Sequence, residues 1–172
     1  MAKVKANGIE LEYETAGNKA DPALLLVMGL GAQLTIWPDS LFQGLAERGF
    51  YVIRFDNRDV GLSQKFSGAP TIESVISARM QGQQPDIPYT LDDMAADSVG
   101  LLDALGIERA HLVGASMGGM IAQNVAALHP QRVASLTSIM SSTGNPSMRV
   151  AMGTPRALRA ILARPANTGD VE

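Results

Sequence analysis

An α/β architecture is predicted by three observations: a mostly parallel sheet with helices on both faces, opened by an antiparallel hairpin. Continuous apolar runs of strand length recur along the chain, as in strands covered on both faces. Helical stretches separate them, which is the alternation that builds parallel sheets. The clearly alternating stretch stands at the N-terminus and is divided by Asn7-Gly8, two residues that accept positive φ.

The hairpin arms are Lys3-Val4-Lys5-Ala6 and Ile9-Glu10-Leu11-Glu12-Tyr13-Glu14. The apolar runs Ala23 to Met28, Tyr51 to Phe55, Ala110 to Val113 and Val133 to Met140 follow as strands three to six. Asp39 starts a helix with Leu41, Phe42 and Leu45 as its apolar positions, and Gly49 closes it. Thr90-Leu91-Asp92-Asp93 resembles a capping box with Asp in place of Glu, and the apolar face Leu91, Met94, Ala95, Leu101, Leu102, Leu105 runs on to Gly106. Asp92, Asp93, Asp97 and Asp103 fall largely off that face and read as a solvated helix side rather than a metal or acid/base cluster. Met120 to Leu128 is apolar nearly all round and stops at His129-Pro130, as expected of a helix buried against the sheet. Past Met140 come a polar loop, a helix-like stretch from Met148 to Ala163 and a polar end.

Composition excludes several function classes. With 46% hydrophobic and 18% charged residues over 172 positions, the chain has a globular balance suited to one domain. A net charge of -3 without blocks gives no electrostatic support for nucleic acid or anionic membranes. The absence of cysteine removes disulfides and thiolate chemistry, and the two histidines have no carboxylate at ligand spacing, so neither a metal nor any other cofactor is expected. The start lacks the apolar stretch of a secretion signal, and the apolar run Ala23 to Gly31 is too short to span a bilayer, so a cytoplasmic location is expected. Gly29-Leu30-Gly31 begins like a dinucleotide fingerprint, but Leu34 stands where the third glycine belongs.

The most informative stretch is Gly114-Ala115-Ser116-Met117-Gly118-Gly119, a GxSxG between an apolar strand and a helix. So sharp a turn forces unusual backbone at Ser116, and side chains two positions either side would collide where strand and helix cross. The hydroxyl is thereby pushed out at a helix start, whose free amides and partial positive charge favour an anion beside it. That pattern points to Ser116 as a nucleophile in acyl transfer.

Three motifs in order give the chain its resemblance to the α/β-hydrolase fold. Met28-Gly29-Leu30-Gly31 stands where many members carry His-Gly-x-Gly, Asp56 to Ser63 looks like their Asp-x-Arg-Gly-x-Gly-x-Ser turn, and Gly114 to Gly119 is the elbow. The wording is most similar to the aclacinomycin methylesterase-like group. The resemblance implies an oxyanion hole from the backbone amides of Leu30 and Met117, and a catalytic order of Ser, acid, His. It also implies a helical cap after the sixth strand, which divides the chain into a core over residues 1–140 and the start of a cap with a polar tail over residues 141–172. Met148 and Met152, one turn apart on the cap helix, are candidates to line an apolar substrate pocket. The Asp56 to Ser63 turn reads as structural, with Arg58 and Asp59 tying loops near the site.

Neither histidine fits the role of base. His111 lies five residues before Ser116 on an extended strand, roughly 16 Å away at ~3.3 Å per residue. His129 lies thirteen residues along the following helix, about 20 Å away at ~1.5 Å per residue. A general base must stand about 3 Å from its proton. The loop after the sixth strand, Ser141 to Asn145, holds no acid, and the Val133 to Met140 strand has no later strand to pair with. The expectation is therefore the nucleophile-bearing part of a serine esterase. Its small-molecule substrate, which the resemblance implies is a medium-sized ester or methyl ester, would be turned over only with a second polypeptide carrying the last strands, the acid and the histidine. The alternatives are a non-catalytic ligand-binding module and a lactonase, peptidase, transferase or peroxidase built on the same elbow.

Overall fold

Asn7 and Gly8 take φ of 48° and 79°, so the two residues that reverse the chain are those that tolerate the left-handed region. They join β1 (Ala2–Ala6) to β2 (Ile9–Ala16) as an antiparallel pair in which Val4 faces Leu11. The structure is a computed structural model describing residues 1–68 and 70–143. The chain divides into a unit over Met1–Ser141 and a second over Ser142–Glu172, of which Ser142 and Thr143 are described.

Four further strands complete the sheet: β3 (Ala23–Val27), β4 (Tyr51–Phe55), β5 (Ala110–Ala115) and β6 (Val133–Ile139). Their spatial order is β1-β2-β4-β3-β5-β6. β2 pairs antiparallel with β4, whereas β3/β4, β3/β5 and β5/β6 are parallel. The apolar runs of β3 and β4 are buried at every position, as their lack of alternation predicts. Successive side chains still point to opposite faces. Leu25, Val27, Ile53, Phe55 and Leu112 pack on one side with Met94, Ala95, Leu101, Ile121 and Val125. Leu24, Leu26, Val52 and Ala115 pack on the other with Trp37 and Phe42.

The helices supplying those layers are α1 (Asp39–Ala46), α2 (Ile72–Met80), α3 (Leu91–Ala104) and α4 (Met117–Leu128). α1 covers the second face. Its first residue, Asp39, accepts from Arg54 at 2.7 Å, and the same guanidinium bonds Glu14 and the Trp37 carbonyl and lies 4.1 Å from the Phe42 ring centre. This full set of partners is what permits a 4% exposed arginine inside an apolar strand. α3 has the expected capping box: Thr90 Oγ1 accepts from the Asp93 amide while the Asp93 carboxylate accepts from the Thr90 amide. The sequence pattern gives no expectation of α2. Its start is marked by Thr71, whose hydroxyl accepts from the Ser74 amide.

One expectation is corrected. Asp97 does not lie on a solvated side of α3: it is 2% exposed and takes both Nε and Nη2 of Arg58 at 2.6 and 2.7 Å, with Asn7 Nδ2 at 2.9 Å. Helical periodicity cannot reveal a guanidinium delivered from the turn after β4, and that guanidinium is what makes burial of the carboxylate tolerable. Arg58 is flanked in turn by the rings of Phe66 and Tyr89, 5.1 and 4.8 Å away. Burial, followed by a 2.6 Å bond to Asp59, pushes the Tyr89 phenol up to about 12, so it donates at neutral pH.

β6 is an edge strand among the described residues. Its outer side carries no partner strand there, and Leu136 and Ile139 are 38% and 37% exposed. No helix of the described residues is long and apolar enough to cross a membrane.

Candidate active site

A single residue connects β5 to α4. Ser116 adopts φ 56° and ψ -123°, a conformation that costs a non-glycine residue about 1–3 kcal/mol and that the surrounding structure must impose. What imposes it is visible on both sides. The Ser116 amide donates to the Ile139 carbonyl of β6 at 2.9 Å, and the Ser116 carbonyl accepts from Gly119 at 2.9 Å as α4 begins.

Glycine is required around it by contact rather than by φ. A Cβ on Gly114 would fall against the Gly118 carbonyl, and one on Gly118 against the Val27 and Met28 carbonyls. One on Gly119 would stand 2.6 Å from Ser141 Cβ and 2.7 Å from Ser138 Oγ. The strand and helix therefore cross closely enough to push the serine outward, and Ser116 is exposed. Although it occupies the N-cap position of α4, its side chain makes no capping bond. Serine at an N-cap normally spends its hydroxyl on the second or third amide of the helix. Here the oxygen is left uncommitted among the described residues.

The loop after β3 lies directly beside it. A Cβ on Gly29 would come within 3.0 Å of Ser116 Cβ and 3.4 Å of Ser116 Oγ, so a residue with a side chain would crowd the serine here. The next residue, Leu30, is 67% exposed, and a turn closed by Ala32 N to Gly29 O at 3.3 Å, with Gly31 at φ 66°, carries its amide around the corner. Met117 is the first residue of α4, so its amide has no intrahelical acceptor. Ser116 and Met117 thus stand together at the N-terminus of α4, with the Gly29 position that precedes Leu30 beside them. Such an arrangement suits a reaction in which negative charge develops on a carbonyl oxygen beside a nucleophile.

The turn from Asp56 to Ser63 holds that loop in position. Asp56 Oδ1 accepts from the Leu34 amide at 2.8 Å and Oδ2 from the Leu62 amide at 2.9 Å. Ser63 Oγ donates to the Asp56 carbonyl at 2.6 Å and accepts from the Glu12 amide at 2.9 Å. Gly61 lies against the Asp56 carboxylate, where a Cβ would collide. Asp59 takes φ 65° at the position where the motif carries glycine, a conformation that aspartate tolerates. Sequence reasoning missed Asn57, whose Nδ2 donates to the Met28 carbonyl at 2.8 Å. It fills the unspecified position of the motif, and nothing in the pattern marks it.

Both histidines are held away from Ser116. His111 is the second residue of β5, at the far end from the turn, with Nδ1 2.7 Å from Ser135 Oγ and its ring edge-on to Phe50. His129 is the C-cap of α4, its amide bonded to the Val125 carbonyl at 2.8 Å. Met148 and Met152 lie outside the described residues.

The sequence profile of the alpha/beta hydrolase fold matches residues 22–171. The rhodomycin D methylesterase DauP of Streptomyces sp. (strain C5) is 34% identical over 132 residues, covering 77% of this chain and 39% of that protein. The putative carbamate hydrolase RutD of Variovorax paradoxus (strain S110) is 35% identical over 129 residues, covering 75% of this chain and 41% of that protein. Among solved structures, the enol-lactonase from Burkholderia xenovorans LB400 superposes with a TM-score of 0.66 at 28% identity, over 94% of this chain and 54% of its own. The chain spans well under half the length of the two curated relatives.

Proposed function

The chain belongs to the α/β-hydrolase fold family, and from that premise we propose that it is the nucleophile-bearing part of a serine carboxylic-ester hydrolase. The observation that carries this reading is Ser116 itself: φ 56°, exposed, at a helix N-cap yet not capping it. Ser116 Oγ attacks the ester carbonyl carbon and gives its proton to an imidazole. The carbonyl oxygen, now anionic, accepts from the Leu30 and Met117 amides. The intermediate collapses as the imidazolium returns the proton to the departing alcohol, leaving an acyl-serine. Water then attacks that ester by the same route, releasing the acid and restoring the hydroxyl.

The imidazole does not come from these 172 residues, whose two histidines stand at the far end of β5 and the far end of α4. It and its orienting acid are supplied by further polypeptide, which also covers the outer edge of β6. Without it, a serine at its ordinary pKa has little reactivity, and this chain alone is expected to be inactive. The similarity to methylesterases favours a small carboxylic ester, a methyl ester among them, as substrate.

A fluorophosphonate probe tests the assignment. The protein completed by the imidazole-bearing segment should gain one phosphonyl group on Ser116, located by peptide mass spectrometry, and Ser116→Ala should gain none. Absence of the adduct in the completed wild-type protein, beside a control hydrolase that labels, would reject the serine mechanism.

A further inference from the structure

We propose that Asn57 is a positioning residue that sets the direction of the Leu30 amide through the Met28 carbonyl. The inference rests on the oxyanion role proposed for Leu30 and extends it one shell outward. Three observations meet at one peptide group. Asn57 is 2% exposed, and its Nδ2 donates to Met28 O at 2.8 Å. On its other side the same carbonyl oxygen lies 2.7 Å from the place a Cβ on Gly118 would take, so it is pressed against the first turn of α4. The following residue, Gly29, faces Ser116 and begins the turn that carries Leu30.

The Met28 carbonyl is therefore gripped between a donor from the β4 side and the helix that follows the serine. Its peptide plane is fixed relative to Ser116. Because peptide units are rigid and only φ and ψ of Gly29 lie between this plane and the next, fixing the first narrows where the Leu30 N–H can point. Glycine at 29 has the widest backbone freedom of any residue, so without an outside anchor the direction would drift. The neighbour of Asn57 completes the grip: Asp56 Oδ1 takes the Leu34 amide at 2.8 Å. Two consecutive residues hold the loop at both ends, one by donating and one by accepting.

The test is kinetic, on the completed enzyme with p-nitrophenyl acetate. Asn57→Ala should lower kcat at least tenfold while KM stays within twofold, because a misdirected donor is felt only when the oxyanion forms. Affinity for a trifluoromethyl ketone, which binds as an oxyanion, should fall with kcat, and affinity for an unreactive amide analogue should not. Asn57→Leu keeps a side chain of similar shape and removes the donor without adding a charge. It should reproduce the loss, and it decides the matter if the alanine variant does not fold. A folded variant with kcat within twofold of wild type overturns the proposal, as does a parallel fall in both affinities. The underlying reading fails separately: if completed wild-type protein takes no phosphonate on Ser116, the serine mechanism is wrong, whereas normal wild-type labelling with an unaffected Asn57 variant removes only the positioning role.

Discussion

Gly29 faces the side chain of Ser116 with too little room for a side chain of its own: an added methyl at residue 29 would meet the serine Cβ at 3.0 Å and its Oγ at 3.4 Å, with the Ala115 carbonyl at 3.2 Å. Strand β3 thus delivers its loop to the same point at which β5 delivers the serine, and neither strand builds the site alone.

Gly29→Ala should consequently disturb the site more than the fold. At 3.0 Å the methyl forces the loop or the serine to move by a few tenths of an ångström, a shift that reactive geometry does not tolerate well. The expected outcome, in the protein completed by the imidazole-bearing segment, is a roughly tenfold or greater loss of phosphonate labelling rate with an unfolding free energy lowered by about 1 kcal/mol, the low end of overpacking penalties. Urea unfolding beside labelling kinetics would measure both.

Gly118→Ala should do the reverse. Its methyl would press on the Val27 and Met28 carbonyls, which belong to the central strand and its exit and cannot turn aside. A loss of about 3 kcal/mol or more, at the upper end of overpacking penalties, is expected in urea unfolding. A variant with native stability would show that α4 is free to lift off β3.

Asp97→Ala should be among the most damaging changes away from the serine. It leaves Arg58, 6% exposed, without the carboxylate that takes two of its nitrogens, and removes the nearer of the two acceptors of Asn7 Nδ2. Breaking a buried pair from one side costs about 3–5 kcal/mol because a charge remains uncompensated. Replacing both partners together, Arg58→Met with Asp97→Leu, should cost less than Asp97→Ala alone. A double-mutant cycle by urea unfolding checks the sign.

The cap of α3 predicts a pH dependence. The Thr90 backbone amide first, and its hydroxyl second, hold the Asp93 carboxyl below its ordinary range. A carboxylate with a depressed folded-state pKa stabilises the fold above its unfolded value, about pH 4, and that contribution is lost as pH falls through the lower folded value. Thr90→Ala should remove about 1 kcal/mol at pH 7, as loss of an N-cap does, and should flatten the stability profile below about pH 4. Equilibrium unfolding of both proteins at pH 7 and pH 3 would reveal the difference.

Much of this architecture was legible in local pattern because local chemistry dictates it. Asn7-Gly8 makes a tight reversal from residues that accept positive φ, continuous apolar runs become doubly covered strands, and Thr90 with Asp93 caps a helix through bonds three residues apart. Ser116 could be singled out for the same reason, since the glycines that permit its turn are its near neighbours in sequence. The register of β3 against β5, the burial of Asp97 and the grip of Asn57 on Met28 were not legible. Each joins residues some thirty or more positions apart, or sets strands separated by whole helices side by side. Periodicity reports which face of an element is apolar, and it assigns Asp97 to solvent because it cannot know that a guanidinium arrives from another turn. The sequence by itself determined the strands, the helices α1, α3 and α4, and the residue at the apex of the elbow, though not α2. Only the tertiary structure decided which backbone stands beside that residue, because close approach is a property of packed strands and not of any one of them.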